Sequence, residues 1–232
     1  PLTEIALIVL THLHSDHYLE LGPLVHTAWT AGLNRPIPVL GPPELEAYWP
    51  NFLAAMDFDV SLRQRDEGRC ALAPLLEFSP IAEGSVKTFG TAALSFMRNH
   101  HPPIENSFAA RFDSDTNSVV FSGDTTVLTA MIDFAKNATL LVHEAMLPDG
   151  VDALCARTPN GDERLRSHIL RSHASAGDVG ALACAAGVHH LALHHLVPDE
   201  DPDFTQKDWI NAVRQSYQGP LTIGVDGLRI DL

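Results

Sequence analysis

The sequence predicts a layered α/β protein. Three features carry that expectation: apolar runs of strand length, helix-start and helix-stop signals between them, and a His or Asp cluster where several of the runs stop. Ile5-Ala6-Leu7-Ile8-Val9-Leu10 is a continuous apolar run, the pattern of a strand buried on both faces. Residues 18–33 read as a helix, interrupted early by Gly22-Pro23, and residues 44–56 as another. Between them, residues 36–43 are rich in turn formers around a short strand at Val39-Leu40. Residues 57–90 are mixed, with strands expected near 71–78 and 85–89. Residues 92–98 form a strand that must stop at His100-His101-Pro102-Pro103, because proline locks φ and has no N–H for the ladder.

The second half alternates more clearly. Residues 107–112 and 118–122 read as paired strands around a turn at 113–117, and Gly123-Asp124-Thr125 ends the second. A helix is expected at 126–136 and a strand at 138–143. Residues 148–170, rich in charge, Pro and Gly, read as an exposed insertion. Ser175-Ala176-Gly177-Asp178 resembles a capping box and starts a helix to Ala186 that Gly187 closes. A strand follows at 190–195, then a helix from the box Thr205…Asp208 to Tyr217, with Gly219 past its end. Final strands are expected at 221–225 and 228–232. The polar cluster recurs at His12, His101, Asp124, His143 and His195. Strand ends are where such a fold presents functional side chains on a rigid base.

A chain of 232 residues fits a single domain, 1–232. Apolar residues at 45% and charged residues at 19% favour a packed core over disorder. The net charge of −14 is the reverse of what a protein needs to grip phosphates, so a small-molecule substrate is expected and a nucleic-acid partner is not. Cys70, Cys155 and Cys184 have neither paired nor metal-site spacing and read as buried small apolar residues. No apolar run reaches membrane-span length and no secretory leader is visible, so a cytoplasmic location is expected. The sequence leaves open an export signal ahead of residue 1, and also a homodimer.

His12-Leu13-His14-Ser15-Asp16-His17 sets four candidate ligands within six residues, directly after an apolar run. Alternation puts His12 and His14 on one side of the extended chain. Asp16 and His17 fall in the following turn and can face a second position. Imidazole and carboxylate donors suit zinc, with iron or manganese also compatible.

His-x-His-x-Asp-His after an apolar strand resembles the metallo-β-lactamase superfamily, and later motifs follow in that family's order. His101-Pro102-Pro103 resembles the third metal histidine. Phe121-Ser122-Gly123-Asp124-Thr125 resembles the segment with the bridging aspartate. Leu191-Ala192-Leu193-His194-His195-Leu196 resembles the last histidine. The resemblance implies a four-layer αββα sandwich, two mixed β-sheets flanked by helices, with metals at one edge. It implies a pair of zinc ions (Zn2+), His12, His14 and His101 holding one, Asp16, His17 and His195 the other. Asp124 would bridge them, and a hydroxide between them would attack the substrate while Asp16 takes up its proton. His100 and His194 adjoin two of these ligands and remain alternatives to them.

Further motifs resemble the ribonuclease Z and arylsulfatase-like branch. Leu141-Val142-His143-Glu144-Ala145 is similar to its His-Glu-Ala-Thr segment, with Met146 where Thr is usual. Ser172-His173-Ala174-Ser175 is similar to its His-Ser-Thr segment, with an inserted Ala. The resemblance implies that Glu144 orients His173 and that His173 protonates the leaving group; a neighbouring carboxylate favours the imidazolium that donates. Many β-lactamases carry Cys or Ser where Asp124 stands. Ribonuclease Z proteins often carry a long RNA-clamping arm between the third histidine and the bridging aspartate, but here His101 and Asp124 are only 23 positions apart.

The expected activity is therefore binuclear zinc hydrolysis of a small phosphodiester, lactone or sulfate ester. The alternatives are ribonuclease Z-like tRNA 3′-processing, β-lactam hydrolysis, and a non-catalytic scaffold, against which the full ligand set argues. Tyr18 and Trp29, with Trp49, are expected to line an apolar substrate pocket. Family members carry leading strands before the first histidine motif, so the resemblance implies strands ahead of residue 1.

Overall fold

A computed structural model describes residues 1–159, 161–199 and 201–232. Its contacts sort the chain into two compact units, Pro1–Ala82 and Glu83–Leu232.

The first unit contains β1 (Ile8–Val9), α1 (Ser15–Tyr18), α2 (Leu21–Thr30), β2 (Ile37–Gly41), α3 (Tyr48–Ala55), α4 (Asp57–Asp66) and β3 (Leu76–Pro80). Its strands form a parallel sheet in the order β1-β2-β3, with Ile8 opposite Val39 and Val39 opposite Phe78. The helix expected from residue 18 restarts at Leu21, which puts Pro23 in the first turn of α2, where its missing N–H leaves no bond unmade. Leu21, Val25, Ala28 and Trp29 repeat at helical spacing and pack on Ile37, Val39, Leu45 and Leu72. That packing corrects the pocket assignment for two tryptophans. Trp29 and Trp49 are 1% and 5% exposed, and their indole N–H groups donate to the carbonyls of Cys70 and Ala73. Both are core residues, not pocket lining. Tyr18 is half-buried, edge-on to Tyr48 at 5.3 Å. Helix α4 lies where no helix was expected, because Val60 is its only buried residue. Arg63 instead pairs one turn away with both Asp59 (2.9 Å) and Glu67 (3.0 Å).

The second unit contains β4 (Val86–Phe89), β5 (Ala92–Arg98), β6 (Phe108–Asp113), β7 (Ser118–Phe121), α5 (Thr129–Phe134), β8 (Leu140–Met146), α6 (Pro148–Arg157), α7 (Glu163–Ser172), α8 (Ala176–Ala186), β9 (Leu191–Val197), α9 (Gln206–Arg214) and β10 (Leu221–Ile223). The sheet runs β10-β9-β8-β7-β6-β5-β4 and is mixed: antiparallel from β4 to β7, parallel from β7 to β10. Leu141, Ala145, Leu191 and Leu193 share one core with Val179, Leu182 and Ala183 of α8 and Trp209 and Val213 of α9. The helix signals act as read: Ser175 Oγ accepts from the Asp178 N–H, Gly187 closes α8 at φ 65°, and Thr205 and Asp208 form a reciprocal capping box.

Both units thus carry a sheet with helices, as the α/β reading expected, although the smaller sheet is parallel in all its described pairings. Other expectations need correction. Residues 148–170 are mostly the helices α6 and α7, whose Val151 and Ile169 bury a small core with Met146. Residues 228–232 form no strand. Cys70 and Cys184 are exposed rather than buried. No described helix is long and apolar enough to cross a membrane.

Candidate metal centre

In the first unit the chain leaves β1 extended and turns into α1, with His14 as the N-cap residue (φ −77°, ψ 147°). This short path gathers the imidazoles. His12 Nε2 lies 3.3 Å from His14 Nδ1, and the His12 and His17 rings are 4.0 Å apart. Thr11 Oγ1 is 3.1 Å from the other His12 nitrogen. Asp16 is the most exposed of the set and stands 3.3 Å from His17 Nε2.

In the second unit the segments just past β5 and β7 and a residue inside β9 converge on Asp124. Gly123, at φ 59°, turns the chain off β7 in a conformation that disfavours any side chain. Asp124 is then 2% exposed, with its Oδ2 3.8 Å from His101 Nε2 and 3.3 Å from His195 Nε2. Asp124, His173 and His195 each offer a donor atom within 4.8 Å of the others. Burying a carboxylate is costly unless positive charge compensates it. A carboxylate among imidazole nitrogens is a donor set that fits a borderline transition-metal ion.

His195 reaches Asp124 through an irregularity. Glu144 pairs with His194 and Ala145 with Leu196, so His195 is the extra residue of a β-bulge, at φ 45°. Such bulges re-aim a side chain out of the regular pleat. His194 keeps its place in the ladder and lines a cavity of about 570 Å³ with His195, Leu196, Asp199, Val225 and Asp226. His100 is exposed while His101 is 1% exposed. The main chain of His100 ties it to the aspartate loop, its N–H donating to Thr125 Oγ1 and its carbonyl accepting from Thr126.

Glu144 and His143 lie inside β8, not at its end, and both are fully buried. Glu144 Oε2 is 3.4 Å from His173 Nδ1. Its Oε1 accepts from the N–H groups of Thr125 (3.1 Å) and Ala174 (3.0 Å), the residues that follow Asp124 and His173. One carboxylate therefore fixes two loops as well as facing the imidazole. Burial holds the His143 imidazole below its ordinary pKa, against the opposing pull of Glu144 and Asp124.

The sequence profile of the family described as Anti-Pycsar protein Apyc1 matches residues 1–179. The chain belongs to the Apyc1 family. Like other similar proteins, a ribonuclease Z of Mycolicibacterium gilvum (strain PYR-GCK) aligns with this Apyc1-family chain almost throughout. It is 28% identical over 232 residues, which covers 99% of this chain and 78% of the relative. The metallo-β-lactamase fold protein YhfI of Bacillus subtilis superposes with a TM-score of 0.68 at 20% identity, over 98% of this chain and 78% of its own. The short form of human tRNase Z gives a TM-score of 0.64 at 17% identity, over 100% and 80%. The Apyc1-family chain is a metal-dependent hydrolase of the metallo-β-lactamase superfamily, on its ribonuclease Z-like branch.

Sequence reasoning gave no role to Ser172 or Thr125, whose hydroxyls bond the main chain on either side of His101: Ser172 Oγ donates to the Pro102 carbonyl and Thr125 Oγ1 accepts from the His100 N–H. It also missed the bulge at His195. A Ser or Thr beside a candidate ligand is too common a pairing to have marked either.

Proposed function

We propose that the chain hydrolyses a small ester-type substrate, a phosphodiester, lactone or sulfate ester, at a binuclear zinc centre. The proposed ligands are His12, His14, Asp16, His17, His101, Asp124 and His195. The observation that carries this reading is the buried Asp124 carboxylate, with the His101 and His195 imidazoles 3.8 and 3.3 Å from one oxygen. When bound, the metal ions supply Lewis acidity and lower the pKa of water to about 7. The chain's own groups do the rest. Asp124 supplies negative charge that holds cations in a buried place. Asp16, exposed and beside His17, is positioned to take up a proton. His173 donates a proton to the leaving oxygen, and Glu144 holds its imidazole through Nδ1. The cavity beside His195 supplies room for the substrate's remaining part.

Among the ester classes a phosphodiester is favoured, since ribonuclease Z relatives are named for cutting RNA. The net charge of −14 favours a small diester over an RNA chain. The ribonuclease names of those relatives, with a structural neighbour named tRNase Z, support a second reading, tRNA 3′-processing, which precursor-tRNA cleavage would test. The family description names an anti-Pycsar protein, and we extend that role to this chain; the test is whether expressing it blunts a Pycsar system. The main test compares zinc-loaded protein on bis(p-nitrophenyl) phosphate, lactone and sulfate ester panels. Phosphodiester turnover that chelation abolishes and zinc restores is expected. No turnover on any panel at full zinc loading would end the reading.

A further inference from the structure

We propose that Ser172 is a positioning residue that sets the orientation and tautomer of the His101 imidazole. The inference rests on the reading of His101 as a metal ligand. His101 Nδ1 lies 2.9 Å from the Ser172 carbonyl oxygen. A carbonyl only accepts, so the hydrogen of that bond belongs to Nδ1. In the neutral ring Nε2 then carries the lone pair, and Nε2 is the atom that stands 3.8 Å from Asp124 Oδ2. The contact therefore selects the tautomer that can bind a cation beside Asp124.

The serine hydroxyl makes this grip specific. Ser172 Oγ donates to the carbonyl of Pro102, the residue after His101, at 2.8 Å. One residue thus holds both the ring and the main chain of the His101 turn. Ser172 is itself 0% exposed, and the His101–Ser172 bond is buried at both ends, so water does not compete for it. Its position is fixed from the far side too. Two residues on, the Ala174 N–H donates to Glu144, whose carboxylate also holds the Thr125 N–H next to Asp124. Ser172, His173 and Ala174 form a clip that sets His101 relative to Asp124. An alanine at 172 would keep the carbonyl but release the Pro102 anchor, and a threonine would keep both.

The test is zinc affinity, by competition with a chromophoric chelator, on metal-stripped wild type, S172A and S172T. Loss of a group that orients a metal ligand costs about 10-fold to 100-fold in affinity. S172A is expected at the lower end, about tenfold weaker, with S172T close to wild type. Equal affinities for S172A and wild type, or an equal loss in S172T, would overturn the proposal. Long-range 1H–15N correlation on metal-free wild type gives a second readout that needs no variant to fold. His101 is expected as the Nδ1–H tautomer, and an Nε2–H tautomer would also overturn it. Wild type that takes up no zinc would refute the metal centre instead, while the tautomer measurement still decides the Ser172 contact.

Discussion

His195 Nε2 lies 3.3 Å from Asp124 Oδ2, and it does so from a residue extruded out of its own strand. The strand β9 could have continued in register and left His195 facing its regular side. Instead the bulge lets a strand interior, the most rigid base available, deliver a side chain to the aspartate. The backbone carries the strain of φ 45° at that residue.

That strain is measurable. A left-handed conformation costs an ordinary side chain about 1–2 kcal/mol, and glycine escapes most of it. Neither His195→Gly nor His195→Ala keeps the imidazole, so their difference isolates the backbone. In metal-free protein His195→Gly should exceed His195→Ala in stability by about 1 kcal/mol, measured by urea unfolding. Alanine equal to or better than glycine would mean that the bulge relaxes when the imidazole goes.

Asp124→Asn separates function from stability at the same site. It keeps the shape and removes the charge. Because even an outer group that orients a ligand is worth about 10-fold to 100-fold, losing this carboxylate should weaken zinc binding by more than about 100-fold and abolish turnover. The metal-free variant should nonetheless melt at or above wild type, since it no longer buries an ionised group. Zinc titration and thermal melts check the two halves, and a destabilised metal-free variant would show that Asp124 is part of the scaffold.

Local signals in the sequence were reliable where one residue type has one physical use. Gly187 and the Thr205–Asp208 pair mark helix ends because only such groups satisfy orphaned backbone atoms there. The His and Asp positions of the site were legible because packing alone gives an apolar strand no reason to end in clustered ligand types. What failed was whatever depends on partners remote in sequence. Trp29 reads equally well as pocket or core until Leu33, Ile37 and Leu72 are seen to surround the same cluster. Helices α6 and α7 were hidden because one buries only Gly150 and Val151, the other only Ile169 and Ser172. The bulge at His195 is made by backbone groups, which every residue carries, and the Ser172 grip joins a backbone carbonyl to one common hydroxyl, so no residue type announces either.

The role of His173 makes a prediction about leaving groups. A general acid contributes about 10²-fold to 10⁴-fold when the departing oxygen is basic, and little when it leaves readily. His173→Ala should therefore lose at least about 100-fold on a diester with an alkyl leaving group, yet less than about 10-fold on bis(p-nitrophenyl) phosphate. Glu144→Gln should follow the same pattern more weakly, since its Oε1 contacts to Thr125 and Ala174 survive. Uniform losses across leaving groups would assign His173 to metal holding instead of proton donation.

The last prediction concerns acid. His143 is 0% exposed, and its Nδ1 lies 2.6 Å from the Glu144 carbonyl, to which it donates. Burial is the larger influence and holds the ring below its ordinary pKa of 6.5, against the Glu144 and Asp124 carboxylates. The folded pKa is thus lower than the unfolded one, and as pH falls the unfolded chain takes up the proton first. The stability this provides is complete above pH 6.5 and is lost progressively below it. The slope reaches up to about 1.4 kcal/mol per pH unit for one proton. His143→Asn keeps a donor near the Glu144 carbonyl and cannot be protonated. It should be less stable than wild type at pH 8, where the lost packing dominates, and the gap should narrow as the pH drops toward 5.5. Urea unfolding of both metal-free proteins across that range measures it, because the other histidines titrate alike in the two chains and cancel in the difference. Parallel curves would mean that His143 is protonated equally in the folded and unfolded states.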